Sequence, residues 1–122
     1  MTAEYFIGTD IVSVPRIAEI LEKGGTRFEQ RVYTDREISY CRSKASPAIH
    51  FAGRFAAKEA LKKAFMSAEV KQVLSFSNIE ITNNDSGVPQ VHMHYKNLQF
   101  IDLKVSISHN SDQAVAFALL RL

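Results

Sequence analysis

The sequence has little of what builds a disulfide-linked, secreted or membrane-spanning protein. Cys41 is the only cysteine among 122 residues, so no disulfide can form within the chain. No segment approaches the run of about 20 apolar residues that crosses a bilayer. The N-terminus lacks the basic segment and apolar run of a secretory signal. We therefore expect a cytoplasmic protein that has no membrane partner.

Length and charge favour a single domain over residues 1–122 with a basic region in its first half. The net charge is only +2. Residues 16–63, however, carry 11 basic and 6 acidic side chains, and the remainder of the chain is negative overall. Such an excess either belongs to a solvated helical surface or attracts an anionic partner, such as phosphate, nucleic acid or an acidic protein.

The pattern of apolar residues predicts an α+β fold. A strand over 5–12 is followed by three helices and then by four more strands, which places the helices on one side of a mainly antiparallel sheet. The last strand is almost entirely apolar and is expected to be central. The predicted helices cover 14–24, 35–43 and 47–65, and the later strands cover 76–82, 88–95, 103–108 and 114–122.

Turn and capping residues set these boundaries. Ser13 can cap the first helix, which Gly24 and Gly25 are expected to end. The segment 34–37 (TDRE) has the form of a capping box and begins the second helix. The segment 83–87 (NNDSG) predicts a turn between two strands.

Asp10 stands out because it interrupts an otherwise apolar strand. By alternation it shares a face of the strand with Gly8, which would leave open space beside the carboxylate. A buried carboxylate needs a cation or hydrogen-bond donors. Asp10 is therefore either a ligand for a cation or a carboxylate that accepts hydrogen bonds from backbone amides near a helix start.

The long helix carries two charged rows. Glu59 and Lys63 are four residues apart and share a face, where they form either a surface ion pair or part of a phosphate site. Arg54, Lys58 and Lys62 are spaced in the same way and predict a second, basic stripe.

His109 ends a predicted strand and leads into a polar loop. A histidine in this place is either a structural residue with satisfied hydrogen bonds or a ligand-binding residue.

Three segments together resemble the holo-(acyl-carrier-protein) synthases, which are 4′-phosphopantetheinyl transferases. The family pattern GxDIVxxxRI matches residues 8–17 (GTDIVSVPRI), and FAxRFAAKEAxxKA matches residues 51–64 (FAGRFAAKEALKKA). The pattern VSISH matches 105–109, and a GxP turn matches 87–89. The similarity spans the whole chain in the right order. One departure is that residues 66–71 contain no glycine, whereas the family often has glycines there.

This resemblance implies a 4′-phosphopantetheinyl transferase-like fold and a magnesium-dependent reaction. The enzyme would transfer 4′-phosphopantetheine from coenzyme A to a serine of apo acyl carrier protein and release adenosine 3′,5′-bisphosphate. Asp10 and Glu59 are the implied ligands of Mg²⁺, with Mn²⁺ as a possible substitute. Lys63 is implied to neutralise phosphate charge beside them. For the base that accepts the serine proton, a metal-bound water oriented by Glu59 is the favoured route, although the resemblance does not fix its identity.

The resemblance also implies where substrates bind. Arg54 and His109 are candidates for holding the nucleotide half of coenzyme A, and Pro89 for shaping the adenine end. Arg16 matches the family position that meets acidic residues of the carrier protein. The resemblance further implies a homotrimer in which the last strand and His109 complete a neighbour's site.

Two other functions compete with this one. A small α+β module could bind RNA through its basic helix, but this leaves Asp10 and Glu59 unexplained, and no aromatic, glycine-rich RNA-binding strand is present. We accordingly expect no nucleic-acid partner. His92 and His94 could share a metal on one strand face, but no third ligand is evident and an exposed strand face is favoured.

Overall fold

The computed structural model describes residues 3–122 and has the predicted order of one strand, three helices and four strands. The strands are β1 (Tyr5–Ser13), β2 (Ile79–Asn83), β3 (Pro89–Met93), β4 (Asp102–His109) and β5 (Gln113–Arg121). The α-helices are α1 (Val14–Val32), α2 (Asp35–Arg42) and α3 (Pro47–Ser67), and a 3₁₀ turn covers Phe76–Asn78.

All strand pairs are antiparallel, as expected, but they form two sheets rather than one. The larger sheet has the order β1-β5-β4, so the apolar strand β5 is central as predicted. Its register pairs Asp10 with Ala116 and Ala116 with Ile107. β2 and β3 form a separate two-stranded sheet, which lies against β4 through its second strand.

α1 continues past the point where the sequence predicted its end. Ser13 caps it, because its hydroxyl oxygen accepts a hydrogen bond from the Arg16 amide at 3.2 Å. Gly25 has φ +54° and ψ −144°, which interrupts the helix, and a second helical segment then runs to Val32. The predicted stop is thus a kink, because residues after Gly25 resume helical geometry and bury Val32 in the core.

α2 is fixed by its predicted capping box and by a buried ion pair. The Thr34 hydroxyl accepts from the Glu37 amide, and Oε1 of Glu37 accepts from the Thr34 amide. The same Oε1 lies 2.6 Å from Nζ of Lys58, whose side chain is fully buried. Burial lowers the pKa of Lys58, and the Glu37 carboxylate opposes this shift. α2 is therefore tied to α3 by a charge pair inside the core.

α3 packs across the inner face of the three-stranded sheet at very close range. A methyl group added to Gly8 would lie 2.0 Å from the carbonyl oxygen of Ala60. Small residues at the contact let the two backbones approach, and they include Ala56, Ala60 and Ala64 on α3 and Ala116 and Ala118 on β5. The expected open space at Gly8 is therefore absent, because the α3 backbone fills it.

The glycine-free segment after α3 forms a helix end that usually needs glycine. Glu69 has φ +59°, the left-handed conformation that glycine adopts most easily. Its amide donates to the Met66 carbonyl at 2.9 Å, and the Val70 amide donates to the Phe65 carbonyl at 3.1 Å. This pair of hydrogen bonds is a Schellman motif.

Two further sequence expectations concern the cysteine and the membrane. Burial raises the pKa of the Cys41 thiol to about 12, so the thiol stays protonated in the core. Within residues 3–122, no helix combines the length and the apolar character that crossing a bilayer requires.

Candidate functional site

Asp10 and Lys63 meet where β1 crosses α3. Asp10 lies on the face of β1 that packs against α3, and its side chain is 16% exposed. Nζ of Lys63 lies 3.2 Å from Oδ1 of Asp10 and donates to the Thr9 carbonyl at 2.9 Å. The Asp10 carboxylate thus lies beside the Lys63 ammonium.

Glu59 lies one helical turn before Lys63 and is half-buried. The surface ion pair between these two residues is not formed, because Lys63 reaches across to β1 instead. Among the described residues 3–122, Glu59 has no ion-pair partner. Asp10, Glu59 and Lys63 are together called the carboxylate site below. A cavity of about 490 Å³ beside it is lined by Gly8, Thr9 and Lys63, among others.

The donor set of the carboxylate site suits a hard divalent cation. No group of three or more histidine, cysteine, aspartate and glutamate side chains in residues 3–122 is arranged to hold a metal ion. Asp10 and Glu59 would therefore supply two carboxylates at most. Magnesium bound with a phosphate substrate commonly uses one or two carboxylates and keeps several waters. The residues present therefore fit such an ion.

A second cavity brings together three residues that the sequence analysis singled out separately. It has a volume of about 220 Å³ and is lined by Arg54, Pro89 and His109, among others. Its wall also contains Tyr40, His50 and Asn83, which were not predicted. We call this cavity the basic pocket.

Arg54 gives the basic pocket a charge that nothing in the described chain balances. The residue is 4% exposed, and its Nη2 donates to Oδ1 of Asn83 at 2.8 Å. Its guanidinium carbon lies 4.0 Å from the ring centroid of Tyr40. Nε has no hydrogen-bond partner, and no carboxylate within residues 3–122 pairs with the guanidinium. A buried cation without a counter-charge points to an anionic ligand.

The predicted turn between β2 and β3 positions the floor of the basic pocket. Gly87 has φ +82°, and its carbonyl accepts from Nδ2 of Asn83 at 3.0 Å. This bond orients the amide so that Oδ1 faces Arg54. Pro89 begins β3 directly opposite Asn83. The turn therefore holds Asn83 and Pro89 beside Arg54.

His50 is one of the residues of the basic pocket that the sequence analysis missed. Its ring centroid lies 5.9 Å from that of His109. A signal was present, because His50 and Arg54 are four residues apart and share a face of α3.

Arg16 lines neither of these two cavities. It is exposed in the first turn of α1 and borders a shallow groove of about 530 Å³ with Ile20 and Lys23. No acidic side chain of the described chain forms an ion pair with it.

The basic stripe predicted on α3 is wrong as a surface feature. Lys58 is fully buried, where its ammonium donates to Glu37 and to the Val32 and Phe76 carbonyls. Arg54 is also buried, and only Lys62 of the three reaches the surface. The helix has no row of exposed cations at this spacing, so this stripe offers no surface for RNA.

His92 and His94 are engaged with neighbours on β2. Nε2 of His92 lies 2.9 Å from the Thr82 hydroxyl, and Nε2 of His94 lies 3.1 Å from Oε1 of Glu80. Both histidines are exposed. The favoured interpretation, an exposed strand face, agrees with this arrangement.

Comparison of the sequence with known proteins gives one answer. Residues 6–118 match the family model of the 4′-phosphopantetheinyl transferase superfamily. The holo-[acyl-carrier-protein] synthase of Chlorobaculum parvum is 43% identical, over 94% of this chain and 97% of that protein. The protein of the same name from Ruminiclostridium cellulolyticum is 42% identical, over 98% and 93% of the two chains.

Solved structures agree with the sequence relatives. The ACPS–CoA complex of Chronobacterium ammoniagenes superposes with a TM-score of 0.84 at 31% identity and covers 97% of both chains. A holo-(acyl-carrier-protein) synthase of Bacillus anthracis in complex with CoA gives 0.75 at 34% identity over 95% of both chains. The chain belongs to the 4′-phosphopantetheinyl transferase superfamily and, within it, to the holo-(acyl-carrier-protein) synthases.

Proposed function

We propose that this protein is a magnesium-dependent holo-(acyl-carrier-protein) synthase. It transfers 4′-phosphopantetheine from coenzyme A to a serine hydroxyl of apo acyl carrier protein. The observation that carries the proposal is the contact between Lys63 on α3 and Asp10 on β1, with Glu59 one helical turn before Lys63 on the same helix.

The reaction exchanges one phosphorus–oxygen bond for another. The serine Oγ attacks the phosphorus that carries the pantetheine arm, and the bond from this phosphorus to the bridging oxygen of the pyrophosphate breaks. The serine hydroxyl loses its proton, and adenosine 3′,5′-bisphosphate leaves with the bridging oxygen. The departing group gains negative charge, so the site must stabilise anionic oxygens as the bond breaks.

The carboxylate site has the groups that this step needs. Asp10 and Glu59 would hold Mg²⁺, or Mn²⁺ in its place. When bound, the ion neutralises charge on the pyrophosphate. Lys63 contributes a second positive charge at the same place, and its side chain is 51% exposed and so accessible to substrate. Its contact with Asp10 fixes the ammonium before substrate arrives, which reduces the reorganisation required during the reaction.

The basic pocket suits the nucleotide half of coenzyme A. Arg54 offers an unused Nε donor and an uncompensated charge, and His109 adds an imidazole to the lining. Pro89 provides an apolar edge for the adenine end. In this proposal the pyrophosphate binds at the carboxylate site and the adenosine half binds in the basic pocket. These two parts of coenzyme A are adjacent in the molecule.

The acidic carrier protein docks on the start of α1 in this proposal. Arg16 is exposed there without an ion-pair partner in the described chain, beside a groove that also contains the ion pair of Lys23 with Glu19. Opposite charges on exposed surfaces guide encounter between proteins and set their orientation. The serine of the carrier would thereby reach the carboxylate site.

The proposed assembly is a homotrimer built on the outer face of the three-stranded sheet. Large apolar residues there are 42% to 61% exposed, namely Tyr5, Ile7, Ile11, Val115 and Phe117. An exposed apolar patch on a strand face is a typical contact surface between protein chains.

The orientation of the two sites on α3 supports a trimer in which neighbouring chains share sites. Arg54 and Glu59 are five residues apart on α3, which turns them by roughly 140° around the helix axis. The basic pocket and the carboxylate site therefore face different directions in one chain, as expected if neighbouring chains complete one another's sites. Light scattering should give three times the chain mass of 13.7 kDa. A monomer that retains full activity would contradict the shared site.

Incubation with coenzyme A, Mg²⁺ and apo acyl carrier protein tests the function directly. The intact mass of the carrier should rise by one 4′-phosphopantetheine arm, and adenosine 3′,5′-bisphosphate should appear in equal amount. Chelation of Mg²⁺ should stop both changes. A carrier of unchanged mass under conditions in which a known synthase modifies it would reject the proposal.

A further inference from the structure

His50 forms part of the wall of the basic pocket, next to the groups already assigned there. Its ring centroid lies 5.9 Å from that of His109 and 5.8 Å from that of Tyr40. It also shares a face of α3 with Arg54, one turn further on. Two imidazoles from different elements, α3 and β4, therefore meet beside a guanidinium that lacks a counter-charge.

The charged side chains that act on His50 are basic, and the pocket lining contains no acidic residue of the described chain. Lys44 approaches from the segment between α2 and α3, Arg54 from α3 and His109 from β4. Tyr40 on α2 contributes a phenol ring, and Asn83 on β2 contributes an uncharged amide. No carboxylate from residues 3–122 lines the pocket. Burial lowers the pKa of His50, and the charges of His109, Arg54 and Lys44 lower it further.

A phosphate monoester bound in the pocket would offset the positive charges around His50. Its second ionisation occurs near pH 6, so it carries about −1.5 to −2 charges at pH 7 and offers three acceptor oxygens. Such a group among these cations would favour the protonated form of His50, which can then donate to it. The pyrophosphate linkage of coenzyme A has no second ionisation of this kind, whereas the phosphate on its ribose does.

We propose that His50 is a specificity-determining residue for coenzyme A: with His109 and Arg54 it binds the ribose phosphate monoester and takes up a proton on binding. This inference rests on the proposed function, because it assumes that the basic pocket receives the nucleotide half of coenzyme A. It adds His50 to the residues that bind coenzyme A there, and it adds a proton that is taken up on binding. His50 thus distinguishes coenzyme A from dephospho-coenzyme A, which lacks the monoester.

Linkage fixes the direction of the pH dependence. A proton taken up on binding makes affinity rise as pH falls, until the phosphate itself becomes protonated near pH 6. The affinity for coenzyme A should therefore fall between about pH 6.5 and pH 8.5, across the range where histidine loses its charge. Dephospho-coenzyme A should show much less change.

Titration calorimetry with the two nucleotides tests the inference. The proteins are the unmodified enzyme, His50→Phe, His50→Gln and the control His92→Gln, which changes an exposed histidine outside the pocket. Heats measured in two buffers of different ionisation enthalpy give the number of protons taken up. His50→Phe should lower the preference for coenzyme A over dephospho-coenzyme A roughly tenfold or more at pH 6.5, the scale of one lost hydrogen bond to a charged group.

The same variant should take up fewer protons on binding coenzyme A, while His92→Gln should match the unmodified enzyme. An unchanged preference together with unchanged proton uptake in a folded His50 variant overturns the inference. If the His50→Phe chain does not fold, His50→Gln decides the question by the same two readings.

Failure of the inference differs from failure of the proposed function. If the unmodified enzyme binds coenzyme A and modifies the carrier while the His50 variants behave like it, only the role of His50 is lost. If the unmodified enzyme binds neither nucleotide and transfers nothing, the proposed function itself is rejected, and the inference with it.

Discussion

Lys63 joins α3 to β1 by placing its ammonium 3.2 Å from the Asp10 carboxylate, across 53 positions of sequence. A second bond to the Thr9 carbonyl at 2.9 Å restricts the ammonium to this corner of the carboxylate site. Lys62, its neighbour in sequence, points elsewhere and lies 4.1 Å from the ring centroid of Phe76. Two adjacent lysines of one helix therefore have different surroundings.

This difference predicts unequal effects of removing the two lysines. Lys63→Ala should lower kcat roughly a hundredfold or more, the scale observed when one donor that stabilises developing charge is lost. Lys62→Ala should change kcat little, because its ammonium contacts an aromatic ring and not the carboxylate site. Steady-state transfer of the arm to the carrier measures both. Equal losses in the two variants would contradict the assigned orientation.

Docking of the carrier through Arg16 predicts a salt effect. Exposed charges are screened within about 8 Å at physiological ionic strength. Higher salt should therefore raise the KM for the carrier more than the KM for coenzyme A. Arg16→Glu should act like high salt and leave coenzyme A binding unchanged, whereas Arg27→Glu on the second segment of α1 serves as a charge-matched control. Unchanged carrier kinetics of Arg16→Glu at low salt would disprove this docking site.

The buried pair of Lys58 and Glu37 predicts a large loss of stability when one partner is removed. Lys58→Met should lower the free energy of unfolding by about 3–5 kcal/mol, because it leaves the buried Glu37 carboxylate without a counter-charge. Addition of Glu37→Gln should recover part of this loss by removing the charge. Urea denaturation followed by circular dichroism measures both variants.

An exposed ion pair on α1 provides the comparison for the buried pair of Lys58 and Glu37. Lys23 and Glu19 lie 2.6 Å apart on α1 with side chains 75% and 61% exposed. Lys23→Met should cost less than about 1 kcal/mol, as is usual for surface pairs. A cost for Lys58→Met no larger than that for Lys23→Met would show that the buried pair does not stabilise the fold.

Local chemistry made parts of the fold predictable. The capping box at Thr34 and Glu37 needs only residues three positions apart, and it forms as expected. The central place of β5 was predicted from its apolar composition, and the structure pairs this strand with β1 and β4.

The rest depended on packing that no short segment encodes. α3 is rich in alanine and buried on most sides, so its periodicity does not show which cations are exposed, and the predicted basic stripe includes Lys58, which is buried. His50 was missed because its partner His109 lies on β4, 59 positions away by residue number. The pairing of Lys63 with Asp10 likewise depends on how α3 crosses β1.

The left-handed backbone at Glu69 predicts a stabilising substitution. A non-glycine residue with φ +59° is strained, and glycine adopts this conformation without a steric cost. Glu69→Gly should therefore raise the free energy of unfolding by about 0.5–1 kcal/mol. Glu69→Ala keeps the strain and should show no such gain in the same thermal or urea denaturation. Equal stabilities of the glycine and alanine variants would show that the strain is not the cause.

The central claim is that Asp10 and Glu59 form one metal site for the transfer, and the mass of the carrier protein measures it most directly. Apo acyl carrier protein is incubated with coenzyme A, Mg²⁺ and either the unmodified enzyme, Asp10→Asn, Glu59→Gln or the control Asp85→Asn in the β2–β3 turn. We predict that the unmodified enzyme and Asp85→Asn add one 4′-phosphopantetheine arm. Asp10→Asn and Glu59→Gln should each leave the carrier unmodified while retaining the circular dichroism spectrum of the native fold. Near-normal modification by either variant at limiting Mg²⁺ would contradict the assignment of that carboxylate to the site.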